Sequence, residues 1–394
     1  MAIDPKLIST PVTADLLHGA LEIEETTVGV RPHRLPGWAR ARADAQLAMA
    51  ESQPSGVRLA FITEATTVEV RAAAVRFGFR GAPSRPAGVF DLLVDGRLTG
   101  QASLDTATTV IIDLVTGEQE VLPGEVAGIT FEALPVGGKS IEIWLPHNEN
   151  VELVELRTDA PVRPTDPRRP IWVHHGSSIS HGSNADHPTG TWPAIAARIA
   201  DVELVNLGFG GSALLDPFTA RTIRDTPADL ISLKIGINLV NTDLMRLRAF
   251  GPAVHGFLDT IRDGHPDVPL LVVSPLLCPI HEDTPGPGAF DEQAMAEGVV
   301  RFRATGDPGA RAEGKLTLTL IRDQLAAIVR QRADSDENLH YLDGLRLYGP
   351  DDTDDLPLPD RLHPDGATHH RIGERFADLA FAAGAPLSPA STSR

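Results

Sequence analysis

The sequence predicts two domains of different class, an antiparallel β-sandwich followed by an α/β domain built on a parallel sheet. Three observations carry this reading. The chain has 394 residues, more than one core ordinarily fills. Its hydrophobic period changes midway, and a segment rich in Pro and Arg lies where it changes. A content of 42% hydrophobic and 22% charged residues is that of a globular chain.

Residues 1 to about 160 read as β. TTVEVRAAA (66–74), VFDLLVDG (89–96), TTVIIDLV (108–115), ITFEAL (129–134) and SIEIWL (140–145) are β-branched or alternating, with Gly, Pro and Asp between them. LPGWARARADAQLAMAES (35–52) is the exception and reads as helical. VRPTDPRRP (162–170) is polar and broken by prolines, so it divides the chain into 1–165 and 166–394.

Beyond that point short apolar runs appear: IWVHH (171–175), VELVNL (202–207), DLISLK (229–234), PLLVVS (269–274) and LHYLDG (339–344). Between them lie helix-length segments such as TWPAIAARIA, DLMRLRAFGPAVHGFLDTIRD and LTLIRDQLAAIVRQRAD. Strands alternating with helices predict a parallel sheet covered on both faces, which binds ligands at the carboxyl ends of its strands. Residues 280–312 fit neither period. An excursion so rich in Gly, Pro and acid reads as a lid insertion or as a merely flexible one.

Composition narrows the function class. A net charge of −18 argues against nucleic acid and against an anionic membrane surface. Cys278 is the only cysteine, which excludes an intrachain disulfide and a thiolate metal cluster, and its apolar surroundings read as burial. MAIDPKLIST lacks the basic and apolar regions of a signal peptide. VPLLVVSPLLCPI, the longest apolar run, is too short to span a membrane. The expectation is a cytoplasmic enzyme without metal or cofactor. Oligomeric state is not legible.

The chemistry collects at predicted strand ends. In VHHGSSISHG (173–182) the first strand ends on Gly176, Ser177 and Ser178, which is either an ordinary polar strand end or a hydroxyl presented for reaction. NLGFGG (206–211) follows the second strand, where glycines let a backbone N–H approach a ligand. KIGIN ends in Asn238, a side-chain amide donor. DRLHPDG places Asp360 and His363 three residues apart, entering the last helix. A serine needs a base, the base needs an orienting group, and the oxyanion needs fixed donors.

This set resembles the SGNH family of GDSL-type esterases and acyltransferases. The family's Gly-Asp-Ser block reads GSSIS here, which makes Ser178 the matching nucleophile; its glycine block matches Gly211, with Gly208 nearby; Gly236-Ile237-Asn238 matches the third block, and DRLHP the last. Ser177 and Leu239 stand where the family has Asp. The resemblance covers roughly residues 170 to 385. It implies a flavodoxin-like three-layer α/β/α catalytic domain behind a jelly-roll-like sandwich, a layout like that of some carbohydrate esterases and of a GDSL-type salicylyl acyltransferase that decorates a tetracycline. It further implies acyl transfer: Ser178 attacks, His363 takes its proton and Asp360 orients the imidazole. Ser178, Gly211 and Asn238 hold the oxyanion, and Ser177, His181 and Gly208 are pocket candidates. The expected substrate is a small-molecule ester or thioester cleaved as by an esterase, with transfer from acyl-CoA to a sugar or natural-product hydroxyl as the alternative.

Three competing readings remain. Gly208-Phe209-Gly210 with Ala213 gives a dinucleotide-type G-x-G-x-x-A, with Asp229 as the ribose acid. Against it, Asp216-Pro217 interrupts the would-be helix. His174, His175, His181 and His187 suggest a metal hydrolase, yet adjacent strand residues face opposite sides. Trp38 and Trp144 suggest a sugar-binding module, with burial in the core or at the domain interface as the favoured alternative.

Overall fold

The computed structural model describes residues 7–81, 86–113, 116–165 and 169–389. The MAIDPK of the signal-peptide reading, Leu114 and Val115 of one expected strand, and residues 166–168 of the expected domain boundary lie outside the described residues. The chain forms two compact units. One holds Met1–Pro36, Glu51–Arg168 and His187–Thr189, the other Gly37–Ala50, Arg169–Asp186 and Gly190–Arg394.

The first unit is a two-sheet β structure. One sheet runs in the order 119–122, 108–112, 68–79, 150–158, 30–33, 22–25, and the other in the order 162–164, 58–63, 139–144, 89–94, 97–103. Alternation explains the long strand Val68–Phe79, where Val68, Val70, Ala72 and Ala74 are buried and the residues between them are less so. These side chains share one core with Leu59, Phe61, Phe90, Leu92, Ile141 and Ile143 of the other sheet. The all-antiparallel expectation needs one correction: Val68–Phe79 and Thr108–Ile112 pair in parallel. The chain between them runs through the 89–94 and 97–103 strands of the other sheet, a crossover long enough to return in the same direction. Buried Asp91 of this unit accepts hydrogen bonds from the Thr189 N–H (2.9 Å), the Thr189 hydroxyl (2.6 Å) and Gln101 (2.8 Å), and pairs with His187 at 2.7 Å. That carboxylate is why residues 187–189 belong here.

The second unit is a five-stranded parallel sheet: β1 (Ile171–Gly176), β2 (Glu203–Gly208), β3 (Leu230–Lys234), β4 (Leu270–Val273) and β5 (Leu339–Leu342), in the order β2-β1-β3-β4-β5. All four pairings are parallel, and the strand order reverses beside β1, the place where such sheets open a crevice. Helices α1 (Trp192–Ala200), α2 (Pro217–Asp225), α3 (Leu247–Arg262), α4 (Leu318–Arg332) and α5 (Gly366–Phe376) connect and cover the strands. Thr317 accepts the Leu320 N–H and Asp365 the Thr368 N–H, N-caps that fix where α4 and α5 begin. Among the described residues no helix is long and apolar enough to cross a membrane.

Lys234 ends β3 at 3% exposure, and burial pushes its ammonium down to about 8 from the ordinary 10.5. That gap is about 3 kcal/mol. The unfolded chain binds the extra proton between the two values, so the penalty is full below about pH 8 and relaxes towards pH 10.5. Lys234→Met is therefore expected to raise stability by up to about 3 kcal/mol at pH 7, with the advantage fading by pH 10.5. Paired urea unfolding at pH 7 and pH 10 measures it, and a difference independent of pH refutes the account.

Candidate active site

Ser178 opens a single helical turn, Ser178–His181, directly after β1. Gly176 and Gly208, the last residues of β1 and β2, make room for it. A Cβ on Gly176 would stand 2.3 Å from the Ser180 hydroxyl oxygen, and one on Gly208 would stand 2.6 Å from the His181 nitrogen. The Ser177 carbonyl accepts the N–H groups of Ser180 and His181, and Gly182 at φ +112° ends the turn. Ser177 itself is 1% exposed, and its buried hydroxyl makes no hydrogen bond.

Residues from opposite ends of this unit converge on Ser178. Its hydroxyl oxygen lies 2.9 Å from His363 Nε2, and His363 Nδ1 lies 2.7 Å from Asp360 Oδ2. The other Asp360 oxygen accepts the N–H of Leu362 (2.9 Å) and of His363 (2.6 Å), while the Asn184 amide donates to Oδ2 at 3.2 Å. Arg361 takes φ +68° so that the chain can fold back over its own carboxylate. Burial alone would raise the Asp360 pKa. The hydrogen bonds and charge of His363 and the two backbone donors outweigh it, and the carboxyl sits below its ordinary value.

The three expected oxyanion donors differ in what else they bond. Neither the Ser178 N–H nor the Gly211 N–H is bonded to a backbone carbonyl among the described residues. Asn238, 3% exposed, accepts the Ala213 N–H through Oδ1 at 3.1 Å, which leaves its NH₂ as the donor end. The Gly208 N–H is engaged by Asn206 Oδ1 at 2.9 Å and the Gly210 N–H by His181 Nδ1 at 3.3 Å. Gly210 is still close, since a Cβ there would lie 3.7 Å from the Ser178 Cβ. Gly211 at φ +75° turns the loop away, with Gln46 against it.

The histidines divide by role. His174 is fully buried and bridges two hydroxyls, Ser232 at 2.7 Å through Nδ1 and Ser180 at 2.8 Å through Nε2, while Trp172 donates to Ser232 at 2.9 Å. His175, on the other face, bonds the Leu207 carbonyl and stacks on Phe257 at 5.8 Å. Burial holds His174 well below its ordinary pKa and His175 at about 4. Among the described residues no three His, Cys, Asp or Glu side chains converge as a metal site. The dinucleotide motif does not open a helix: α2 starts at Pro217 behind Asp216, and Asp229 accepts the Ile171 N–H at 2.7 Å. Cys278 is buried, and its thiol is pushed up to about 12, chiefly by burial.

Four contributors were not singled out from sequence: Ser180, Asn184, Gln46 and Phe302. The 280–312 excursion carries its own hairpin, Gly288–Phe290 with Phe302–Ala304. Phe302 donates its N–H to the Asp360 carbonyl at 2.9 Å and meets the His363 ring edge-on at 5.5 Å. Only an aromatic within a Gly- and Pro-rich stretch hinted at it. The expectation that Trp38 fills a core is overturned. It is 39% exposed, because the short Gly37–Arg40 helix turns it outward, whereas Trp144 is 2% exposed.

Ser180→Ala removes the partner of a buried ring nitrogen in the His174 bridge. The expected loss is about 1–3 kcal/mol in urea unfolding, and more than that of a Ser→Ala change at exposed Ser335.

Comparison with known proteins follows this geometry. Residues 175–371 match the GDSL-like Lipase/Acylhydrolase family, and residues 16–154 match the SsfX3 N-terminal domain. Among solved structures, the salicylyl-acyltransferase SsfX3 from a tetracycline biosynthetic pathway is similar at 29% identity and TM-score 0.75, over 94% of this chain and 96% of that one. A putative GDSL-like lipase from Bacteroides ovatus shares the fold at 17% identity and TM-score 0.65, over 94% and 96%. A family two carbohydrate esterase from Cellvibrio japonicus does so at 14% and 0.53, again over 94% and 96%. No curated protein sequence matches. With half of its length under that family model, and a three-layer α/β/α unit whose first strand ends on Gly176 just before Ser178, the chain belongs to the GDSL-like lipase/acylhydrolase family.

Proposed function

We propose that the protein cleaves a small-molecule ester or thioester through an acyl-enzyme on Ser178. The observation that carries this reading is the hydrogen-bonded line from the Ser178 hydroxyl through His363 to Asp360, 2.9 and 2.7 Å long. His363 Nε2 takes the Ser178 proton as the oxygen attacks the carbonyl carbon. The Asp360 carboxylate holds the Nδ1 proton and stabilises the imidazolium. The N–H groups of Ser178 and Gly211 and the Asn238 amide receive the oxyanion, each such donor contributing about 3 kcal/mol in comparable sites. His363 then returns the proton to the leaving oxygen or sulfur, and the ester of Ser178 remains. In this reading residues 166–394 form the catalytic domain behind the sandwich of 1–165.

The acyl-enzyme has two fates. Discharge to water makes the protein an esterase. Transfer to a hydroxyl of a sugar or natural product is favoured by the likeness, across both units, to an acyltransferase at 29% identity, and acyl-CoA is then the natural class of donor. Phe302 meets the His363 ring edge-on at 5.5 Å, and in this reading the 280–312 segment acts as a lid that limits the access of water to the base.

A fluorophosphonate probe tests the first step. One adduct mapped to Ser178 is expected, absent in Ser178→Ala and formed at least 100-fold more slowly in His363→Ala. An adduct elsewhere, or none on folded protein, refutes the assignment. Phe302→Ala is expected to shift product from transferred ester towards free acid when a thioester and an excess of a simple alcohol are supplied together. An unchanged partition removes the lid.

A further inference from the structure

The segment 37–50 clusters with the second unit and reaches its glycine loop. Gln46 donates through Nε2 to the Gly210 carbonyl at 2.9 Å and packs against Gly211, so its neighbours stand beside the loop that faces Ser178. Four residues before it lies Arg42, and at most about 14 Å of chain separates the two.

Arg42 leads to Trp38. This tryptophan is 39% exposed, whereas the other three are at most 2% exposed. Two guanidinium groups lie over its ring, Arg42 at 5.8 Å and Arg221 at 5.2 Å from the centroid. Arg42 also donates to the Trp38 carbonyl. Arg221 comes from α2, and its buried Nε makes no hydrogen bond. No described carboxylate stands within ion-pairing distance of either group. The nearest on the helix, Asp225, is taken by both donors of Arg224 at 2.7 and 2.9 Å, and Asp44 caps the Leu47 N–H at 2.8 Å. In a chain of net charge −18, two guanidinium groups meet one exposed indole with no described carboxylate in an ion pair with either, although Asp225 acts on Arg221 at longer range. Each gains from the ring it lies over, and an anion bound to either would supply the ion pair that both lack.

We propose that Trp38, Arg42 and Arg221 form a subsite for a planar ring bearing an anionic group, beside the oxyanion loop. The ligand ring lies against the exposed part of the indole and the guanidinium planes beside it, and the guanidinium groups take the phosphate or carboxylate. The subsite deepens the acyl-transfer reading and rests on it for its purpose, which is to hold the part of a substrate remote from the reacting carbonyl. Two sources share this chemistry: the nucleotide end of a thioester donor, and an acidic aromatic ring on the acyl group or acceptor.

Calorimetric titration of the full-length Ser178→Ala protein separates them, because without the nucleophile binding is read apart from turnover. Adenosine 3′,5′-bisphosphate probes the nucleotide, benzoate the acidic ring, and adenosine and benzamide are the uncharged controls. Saturable binding of one anionic probe is expected, weakened roughly tenfold or more in Trp38→Ala and in Arg221→Gln. Whichever probe binds names the source. Circular dichroism confirms that the variants are folded, and Trp38→Phe, which keeps a ring, should retain most of the affinity. Equal binding of charged and uncharged probes, equal binding by the variants, or no binding of either anion overturns the subsite. None of these results touches the Ser178 adduct, and a failed adduct leaves the titration unchanged.

Discussion

The second unit depends on one close approach, the descent of the serine turn onto the ends of β1 and β2. Ser180 is fully buried there, and its side chain occupies space that a Cβ on either Gly176 or Gly208 would invade. Any residue other than glycine would lift the turn off the sheet and carry Ser178 with it. The approach is held from below by polar bonds. Asn206 donates to the Ser180 carbonyl at 2.9 Å, and His174 bonds the Ser180 hydroxyl. Ser178 placed in this way owes its position to the floor of the sheet more than to its own contacts, which leaves its hydroxyl facing His363.

The partner arrives from 185 residues later in the chain, yet its geometry is almost wholly local. Asp360 binds the N–H groups of the residues two and three beyond it and the ring of His363 itself. The positive φ of Arg361 costs roughly 1 kcal/mol in a non-glycine residue, and three hydrogen bonds to one carboxylate offset it. Asp365 then starts α5, which fixes the loop at its far end. A pair built this compactly moves as one body, so its distance to Ser178 is set by where α5 and β5 place the loop.

These differences explain what was legible in the sequence. The five strands of the parallel sheet stand out because buried strands are continuous apolar runs, and the Asp-x-x-His pair stands out because its geometry is local. Strand Arg97–Ser103 carries Gly and polar residues on a largely exposed edge, so no period marks it. Strand Asn150–Thr158 alternates, but a register shift between Leu153 and Glu155 breaks the pattern. The hairpin of 280–312 is hidden for another reason: its two strands are three residues each, and Phe290 and Phe302 meet only across the turn, at 4.8 Å. Trp38 was misjudged because its exposure depends on how a four-residue helix is turned, which composition does not reveal. Long-range placement was the missing information in each case.

The electrostatics of the floor close the argument. Burial keeps His174 well below its ordinary pKa and holds His175 and His369 at about 4, so near neutral pH these imidazoles are uncharged and offer only dipoles and hydrogen bonds. A cationic floor would compete with His363 for the Asp360 carboxylate and penalise a new positive charge beside it. With neutral rings nearby and an ionised carboxylate bonded to Nδ1, a proton passed to His363 in the proposed mechanism would meet a compensating charge already in place. No group has to reorient when that proton moves, which is the condition under which a buried polar site lowers a barrier instead of merely binding. In the proposed mechanism the proton passes between Ser178 and His363 alone, Asp360 stays ionised, and the hydroxyl bridges and buried imidazoles around the turn contribute by staying neutral and fixed.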